Sequence, residues 1–393
     1  MRDAWISGAA MTRFGKHAER GERELVEEAV AGALADAGLV AADVQCVYVA
    51  NAAAGLIRGQ ESIRGQVVLR NTGLMGTPII NVENADASGS TALHLAWQAV
   101  AGGMHDCVLV LGYEKLDHVN RVHSYRAVNA TMDLTELADV YGPEARNEPG
   151  VLMNLYDASP VGGAGDRFTP ELLAEVSVKN HHHGVLNPRA HYREAFTVEQ
   201  VLGSRVVAGP LTRLMCAPFS DGAACVVLRA GNPLASRSTA PAVRVAASIL
   251  GSGRGDDLGR PFAVIPATLA AYERAGVGPE DLDVVELHDA TTITELLVYE
   301  RLGLCPDGEA ERLIRDRTTW LGGELPVNPS GGLLARGHPH GATGVAQVVE
   351  LVWQLRGGCG DRQVPTPRCA LAHNTGGWVG TDVGAVCIHV LTV

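Results

Sequence analysis

Aromatic residues are scarce in this 393-residue chain, where Phe, Trp and Tyr make up 5%. A β-sandwich core is therefore not expected; 46 glycines and abundant alanine suit tightly packed helices and close backbone approaches. Basic charge is also in deficit. The 32 Lys and Arg face 44 Asp and Glu, a net charge of −12, whereas a duplex nucleic-acid partner needs a dominant basic surface. No apolar run approaches the roughly 18 residues of a membrane helix, so no membrane partner is expected. The start runs from Met1 directly into the strand-like Ala4–Gly8 without a leader pattern, and a cytoplasmic protein is expected. The cysteines, at 46, 107, 216, 225, 305, 359, 369 and 387, form no C-x-x-C pair and mostly lie in apolar runs. Scattered thiols of this kind argue against a zinc site or a disulfide framework, and no metal is expected.

What the chain does have is apolar content, 46% with a mean hydropathy of +0.07, enough for a large core and more than one domain. It also has an internal duplication. Ala4–Gly8, a helical stretch 24–37, Gly38-Leu39 and the strand-like 43–49 are echoed by 243–247, a helical stretch 263–275, Gly276-Val277 and 281–287. Each half reads strand, amphipathic helix, glycine stop, acidic turn, buried strand. The echo continues: 78–84, a helix over 90–101, Gly102-Gly103 and a strand over 107–112 match 325–328, a helix over 345–355, Gly357-Gly358 and a strand over 369–372. Two related α/β units with mixed sheets follow. The first is assigned to 1–114 with 206–235 and the second to 240–393. Between them, 115–205 is polar, holds Pro143, Pro149, Pro160 and Pro170, and reads as an inserted loop domain; Ala230–Ala242 reads as a linker.

Four stretches, in this order and spacing, carry a family resemblance: Val82-Glu83-Asn84-Ala85-Asp86-Ala87-Ser88-Gly89-Ser90, His288-Asp289-Ala290, Gly337-His338-Pro339-His340-Gly341-Ala342-Thr343-Gly344 and His373-Asn374-Thr375-Gly376-Gly377. Ser220-Asp221-Gly222-Ala223-Ala224 supports them. The chain resembles the thiolase superfamily, and within it the sterol-carrier-protein-X-type thiolases, over essentially its whole length. That resemblance implies a five-layered α-β-α-β-α fold, a homodimer, and acyl-CoA held partly by the inserted domain. A small zinc-ribbon and OB-fold partner, as in several relatives, is a further implied possibility. No cofactor is implied beyond the CoA thioester as substrate.

Carried over position by position, the resemblance makes His338 the histidine that activates the nucleophile and lines an oxyanion hole. His288 stands where many thiolases have an asparagine near the thioester oxygen, and His373 where classical thiolases have a second cysteine. Gly376 and Gly377 would let the backbone approach the acyl group. Asn328, Ser330 and Lys179 are assigned to substrate binding; Lys179, Arg189 and Arg193 would either face CoA phosphates or form a solvated basic surface. The run His181-His182-His183 reads as part of a helix-end segment rather than a metal site.

The departure lies at Asp86, where the family motif carries its nucleophilic cysteine. An aspartate cannot form a readily transferred thioester. Three readings stay open: Asp86 is an acid/base group for chemistry without an acyl-enzyme, such as retro-aldol cleavage, decarboxylation or hydrolysis; Asp86 is a helix cap in a non-catalytic binding partner; or the chain is an ordinary acetyl-CoA acyltransferase inactivated by a change at position 86. Ser88 as substitute nucleophile is a minor fourth. Retention of His288, His338 and His373 favours an enzyme.

Overall fold

The computed structural model describes residues 1–151, 167–231 and 241–393; Pro160 and residues 232–240 of the expected linker lie outside them. Its strands are β1 (Ala4–Met11), β2 (Cys46–Ala50), β3 (Ile79–Val82), β4 (Cys107–Lys115), β5 (Val206–Ala208), β6 (Leu211–Thr212), β7 (Asp221–Ala230), β8 (Val243–Ser252), β9 (Val284–Glu286), β10 (Cys369–Val379) and β11 (Asp382–Thr392). All but β5 and β6, which pair with each other, join one mixed sheet in the order β3-β2-β4-β7-β1-β8-β11-β10-β9. β2 pairs in parallel with β3 and β4, and β7 lies antiparallel between β4 and β1. The second half repeats this in mirror order: β9 is parallel to β10, and β11 lies antiparallel between β10 and β8. Val327, bridged in parallel to Val285, takes the place that β3 has in the first half. Among the described residues, the sheets of the two halves join through two residue pairs of β1 and β8, Trp5–Arg244 and Ile6–Val243.

Burial assembles five layers. Leu25, Val26, Ala29 and Val30 of the Glu22–Ala37 helix cover the outer face of the first half. Two central helices, Ser88–Ala101 and His340–Leu355, pack between the halves, with Leu93, Trp97, Val345 and Val349 in one core with strands of both. The Val264–Ala275 helix and much of the insertion cover the outer face of the second half. The thiolase fold expected from the resemblance is the fold observed.

Both expected helix stops hold. Gly38 and Gly276 adopt left-handed φ of 65° and 70°, the conformation that closes a helix with the least strain for glycine. Other boundaries differ. The second central helix begins at His340 rather than 345, and the first at Ser88 rather than 90. Glycine weakens a helix by propensity, but here it sets how closely the two central helices cross. A Cβ on Gly344 would lie 2.2 Å from Ser90 Oγ and 2.6 Å from its amide nitrogen. A Cβ on Gly89 would lie 2.8 Å from the Gly341 carbonyl. Likewise β10 runs on to Val379 instead of ending at 372, because β11 pairs with it throughout.

The insertion between β4 and β7 contains helices Arg121–Asn129, Leu134–Tyr141, Pro170–Val185 and Val198–Leu202. Pro170 sits in the first turn of its helix, where its missing N–H costs nothing, and Thr169 caps it by accepting from the Leu172 amide at 3.2 Å.

Candidate functional site

Asp86 lies in the short turn between β3 and the first central helix. Ala85 before it adopts a left-handed φ of 48°, an uncommon conformation for a residue with a side chain. Gly376 of β10 presses against this turn: a Cβ there would meet the Asn84 carbonyl at 2.2 Å and the Ala87 nitrogen at 2.4 Å. Gly377, at φ 69°, leaves room for the Thr131 carbonyl. Ser88 is occupied locally, accepting from the Asn84 amide and donating to the Ala85 carbonyl. Its hydroxyl is a turn lock, not a substitute nucleophile.

Asp86 is 8% exposed and faces two histidines from the start of the second central helix. Its Oδ1 lies 3.2 Å from His338 Nε2 and 3.1 Å from His340 Nδ1. The His288 ring stands edge-on to His338 at 5.1 Å between centroids. Burial alone would push Asp86 up, but the imidazoles of His340 and His338 outweigh it and hold the carboxyl well below the usual carboxylate range. Burial pushes the histidines down, His338 to about 4, His373 to about 3 and His288 well below its ordinary value. These three rings are therefore neutral at neutral pH.

Hydrogen bonds select their tautomers. His373 Nδ1 accepts from the His288 amide at 3.3 Å, leaving the ring proton on Nε2. His288 Nδ1 accepts from the Asn374 side-chain nitrogen at 2.9 Å, which again leaves Nε2–H as the donor. His338 differs. Thr343 donates its hydroxyl to the Pro339 carbonyl, so His338 Nδ1–H donates to Thr343 Oγ1 at 2.8 Å and Nε2 is the nitrogen that faces Asp86. Asp86, His288, His338 and His340 thus converge with two neutral N–H donors available, on His288 and His373.

Three expected substrate-binding residues belong elsewhere. Lys179, Asn328 and Ser330 are wholly buried in a polar network behind the His288 loop. Lys179 pairs with Glu295 and donates to Tyr299 Oη at 3.0 Å, so its ammonium cannot reach a CoA phosphate. Asn328 accepts from the Leu287 amide, and Ser330 donates to Glu286, which also pairs with the buried Arg336. In the histidine run, His183 uses both nitrogens, on the Asn328 carbonyl and the Leu321 amide, while His181 packs on Phe196.

Sequence reasoning missed two features. His340 was passed over although Gly337-His338-Pro339-His340-Gly341 carries it plainly. The other is a cavity of about 300 Å³ whose lining includes Lys16, Arg121, Arg205, Arg213, Tyr125 and Phe219. Most of its wall comes from the insertion. Its inner wall joins the histidines through the backbone: Cys216 bridges Thr291, Ala217 donates to the Ala290 carbonyl at 3.0 Å, and Phe219 bridges His338. No thiol completes the site as a nucleophile. Burial pushes all eight cysteines up, Cys216 and Cys387 to about 12.

This doubled fold, with catalytic-type side chains gathered at the starts of two central helices, defines a class. Residues 4–232 match the family model for the thiolase N-terminal domain, and 253–389 match that for a thiolase C-terminal domain-like region. The chain belongs to the thiolase family and is a thiolase-family enzyme. It is 40% identical over 399 residues to an acetyl-CoA acetyltransferase of Methanothermobacter thermautotrophicus, covering 100% of both. It is 37% identical over 399 residues to sterol carrier protein 2 of Bos taurus, covering 95% of this chain and 70% of that protein. Among solved structures, the Ltp2-ChsH2(DUF35) aldolase superposes with a TM-score of 0.80 at 26% identity, over 100% of this chain and 98% of that one.

Proposed function

We propose that this protein, in the manner of an X-type thiolase that has lost its cysteine, makes or breaks the carbon–carbon bond beside a CoA thioester without an acyl-enzyme. The observation that carries the reading is Asp86, a buried carboxylate set against His338 and His340 in a protein whose own thiols are all suppressed by burial. In the cleavage direction, Asp86 takes the proton of a β-hydroxyl. The Cα–Cβ bond then breaks, and its electron pair moves onto the thioester oxygen as an enolate while an aldehyde or ketone leaves. Return of a proton to Cα gives the shortened acyl-CoA. The Nε2–H groups of His288 and His373 hold the enolate oxygen, with Gly376 and Gly377 giving the backbone close approach; each such donor typically contributes about 10²–10³ in rate.

Support comes from the cationic cavity, which suits the phosphates of CoA, and from likeness to a structure named an aldolase. Under this reading residues 115–205 form the CoA-binding insertion, between halves 1–114 with 206–235 and 240–393. The DUF35 component named with that aldolase supports a small hetero-partner. The edge position of β3, with Ile80 exposed, supports a homodimer formed by sheet continuation. No described helix is long and apolar enough to cross a membrane, and a cytoplasmic location is part of the proposal.

The test is the role of free CoA. Retro-aldol cleavage of a β-hydroxyacyl-CoA needs none, whereas thiolysis consumes it. Mass spectrometry should show aldehyde or ketone plus shortened acyl-CoA without added CoA, and Asp86→Ala should lower turnover by about 10²–10⁴-fold. Cleavage that requires free CoA and leaves an acyl group on the protein would overturn the reading.

A further inference from the structure

Asp86 Oδ1, His338 Nε2 and His340 Nδ1 all lie within 4.8 Å of one another, the one such set of potential ligands among the described residues. All three residues are buried. Their meeting is unresolved as a hydrogen-bonded cluster: Asp86 Oδ1 and His340 Nδ1 have no hydrogen-bond partner, despite the short distances. His338 Nδ1 is engaged by Thr343 Oγ1, so Nε2 is the nitrogen that faces the carboxylate. A carboxylate oxygen and two imidazole nitrogens gathered this closely in a dry site need positive charge among them, which a proton or a metal ion supplies.

The spacing says what fits. Around an ion with bonds of about 2.0–2.1 Å, tetrahedral ligand atoms sit roughly 3.3 Å apart. The observed separations from Asp86 Oδ1 are 3.2 and 3.1 Å. Two imidazoles and one carboxylate are a donor set for zinc or another divalent first-row metal rather than for magnesium or calcium. The surroundings are built as a second shell: Thr343 orients the His338 ring, and Glu114 anchors the residue after His340 by accepting from the Gly341 amide at 3.2 Å.

We propose that Asp86, His338 and His340 bind one divalent transition-metal ion, zinc in first place, with a fourth coordination position left for water or a substrate oxygen. The inference rests on these side chains and not on the reaction proposed above. In that reaction the ion would polarise the substrate oxygen beside the Nε2–H donors of His288 and His373.

The experiment reads loading, not turnover, so the two proposals stand or fall separately. The full chain is stripped with a chelator, dialysed, and titrated calorimetrically with Zn²⁺; Co²⁺ replaces it for visible spectroscopy. One equivalent should bind, and Co²⁺ should give the intense bands of a four-coordinate ion. Asp86→Ala and His340→Gln should each weaken binding by about 100-fold, at least the loss that outer-shell changes cause. His182→Gln, an exposed histidine of the other cluster, should not. X-ray absorption of the zinc-loaded wild type should show two imidazoles, a readout that survives if a variant fails to fold. Absence of a one-equivalent site, equal binding by His340→Gln and His182→Gln, or a zinc shell without imidazoles would each overturn the proposal.

Discussion

Replacing Lys179 by methionine separates a buried structural cation from a CoA contact. Lys179 and Glu295 are both wholly buried, 116 positions apart in the chain, and ion-paired. Lys179 also donates to Tyr299 Oη and to the Val327 carbonyl at 3.3 Å. Methionine keeps most of the volume and removes the charge, so little of the effect comes from a cavity. Removing one member of a buried pair costs about 3–5 kcal/mol, because the other charge stays dehydrated. Glu295 retains Asn180, Tyr299 and the more distant Asn328 as donors, which places the expected loss near the lower end, about 3 kcal/mol. Adding Glu295→Gln removes the stranded charge and should recover part of that loss, giving a coupling energy in a double-mutant cycle. Urea denaturation at pH 7 measures the stabilities, and calorimetric titration measures CoA affinity on the folded variants. Affinity should stay within about twofold. A tenfold weaker CoA affinity with unchanged stability would refute the assignment and return Lys179 to the substrate.

Arg205→Ala and Arg213→Ala, on the cavity wall, should each weaken CoA binding by about tenfold in calorimetry, and by less at high salt. Gly344→Ala should destabilise by about 1–3 kcal/mol or more in denaturant melts. Its Cβ meets a Ser90 backbone atom at 2.6 Å, and shifting the helices by about 1 Å should also lower turnover by about 10²-fold. Burial holds His183 and His389 at about 3, so both are neutral in the folded protein. The unfolded chain protonates them near 6.5, so stability is complete above that pH. It falls as pH drops toward about 3, by about 1.4 kcal/mol per histidine per pH unit. Denaturant melts at pH 7.5, 6 and 5 check this, and a flat profile would contradict it.

The duplication and the glycine stops were legible because each is a local signal: Gly38 and Gly276 end helices by backbone conformation alone. The start of the second central helix was not, since the helicity of 340–344 depends on Gly344 resting against Ser90, a contact between halves. His288, His338 and His373 were readable from short motifs. Lys179 was misread because its partner Glu295 is distant in sequence, although its neighbours Ser177, Asn180 and His181 share its burial. The cavity cations Lys16, Arg121, Arg205 and Arg213 come from dispersed segments, and no local pattern could unite them.

The duplication also explains why the site lies where it does. Ser88 and His340 open the two central helices, which occupy equivalent places in the two halves. Asp86 stands two residues before the first and His338 two residues before the second. These are corresponding positions of the repeat, and they face each other at 3.2 Å. Both helices therefore direct their positive ends into one small volume, where exposed N–H groups and the aligned peptide dipoles favour negative charge. A carboxylate at position 86 is thus compatible with the fold despite its burial, and so is charge developing on a substrate oxygen beside it. The same symmetry makes the cluster composite: neither half alone holds a carboxylate against a histidine, and the chemistry depends on how closely Gly89, Gly341 and Gly344 let the two helices meet.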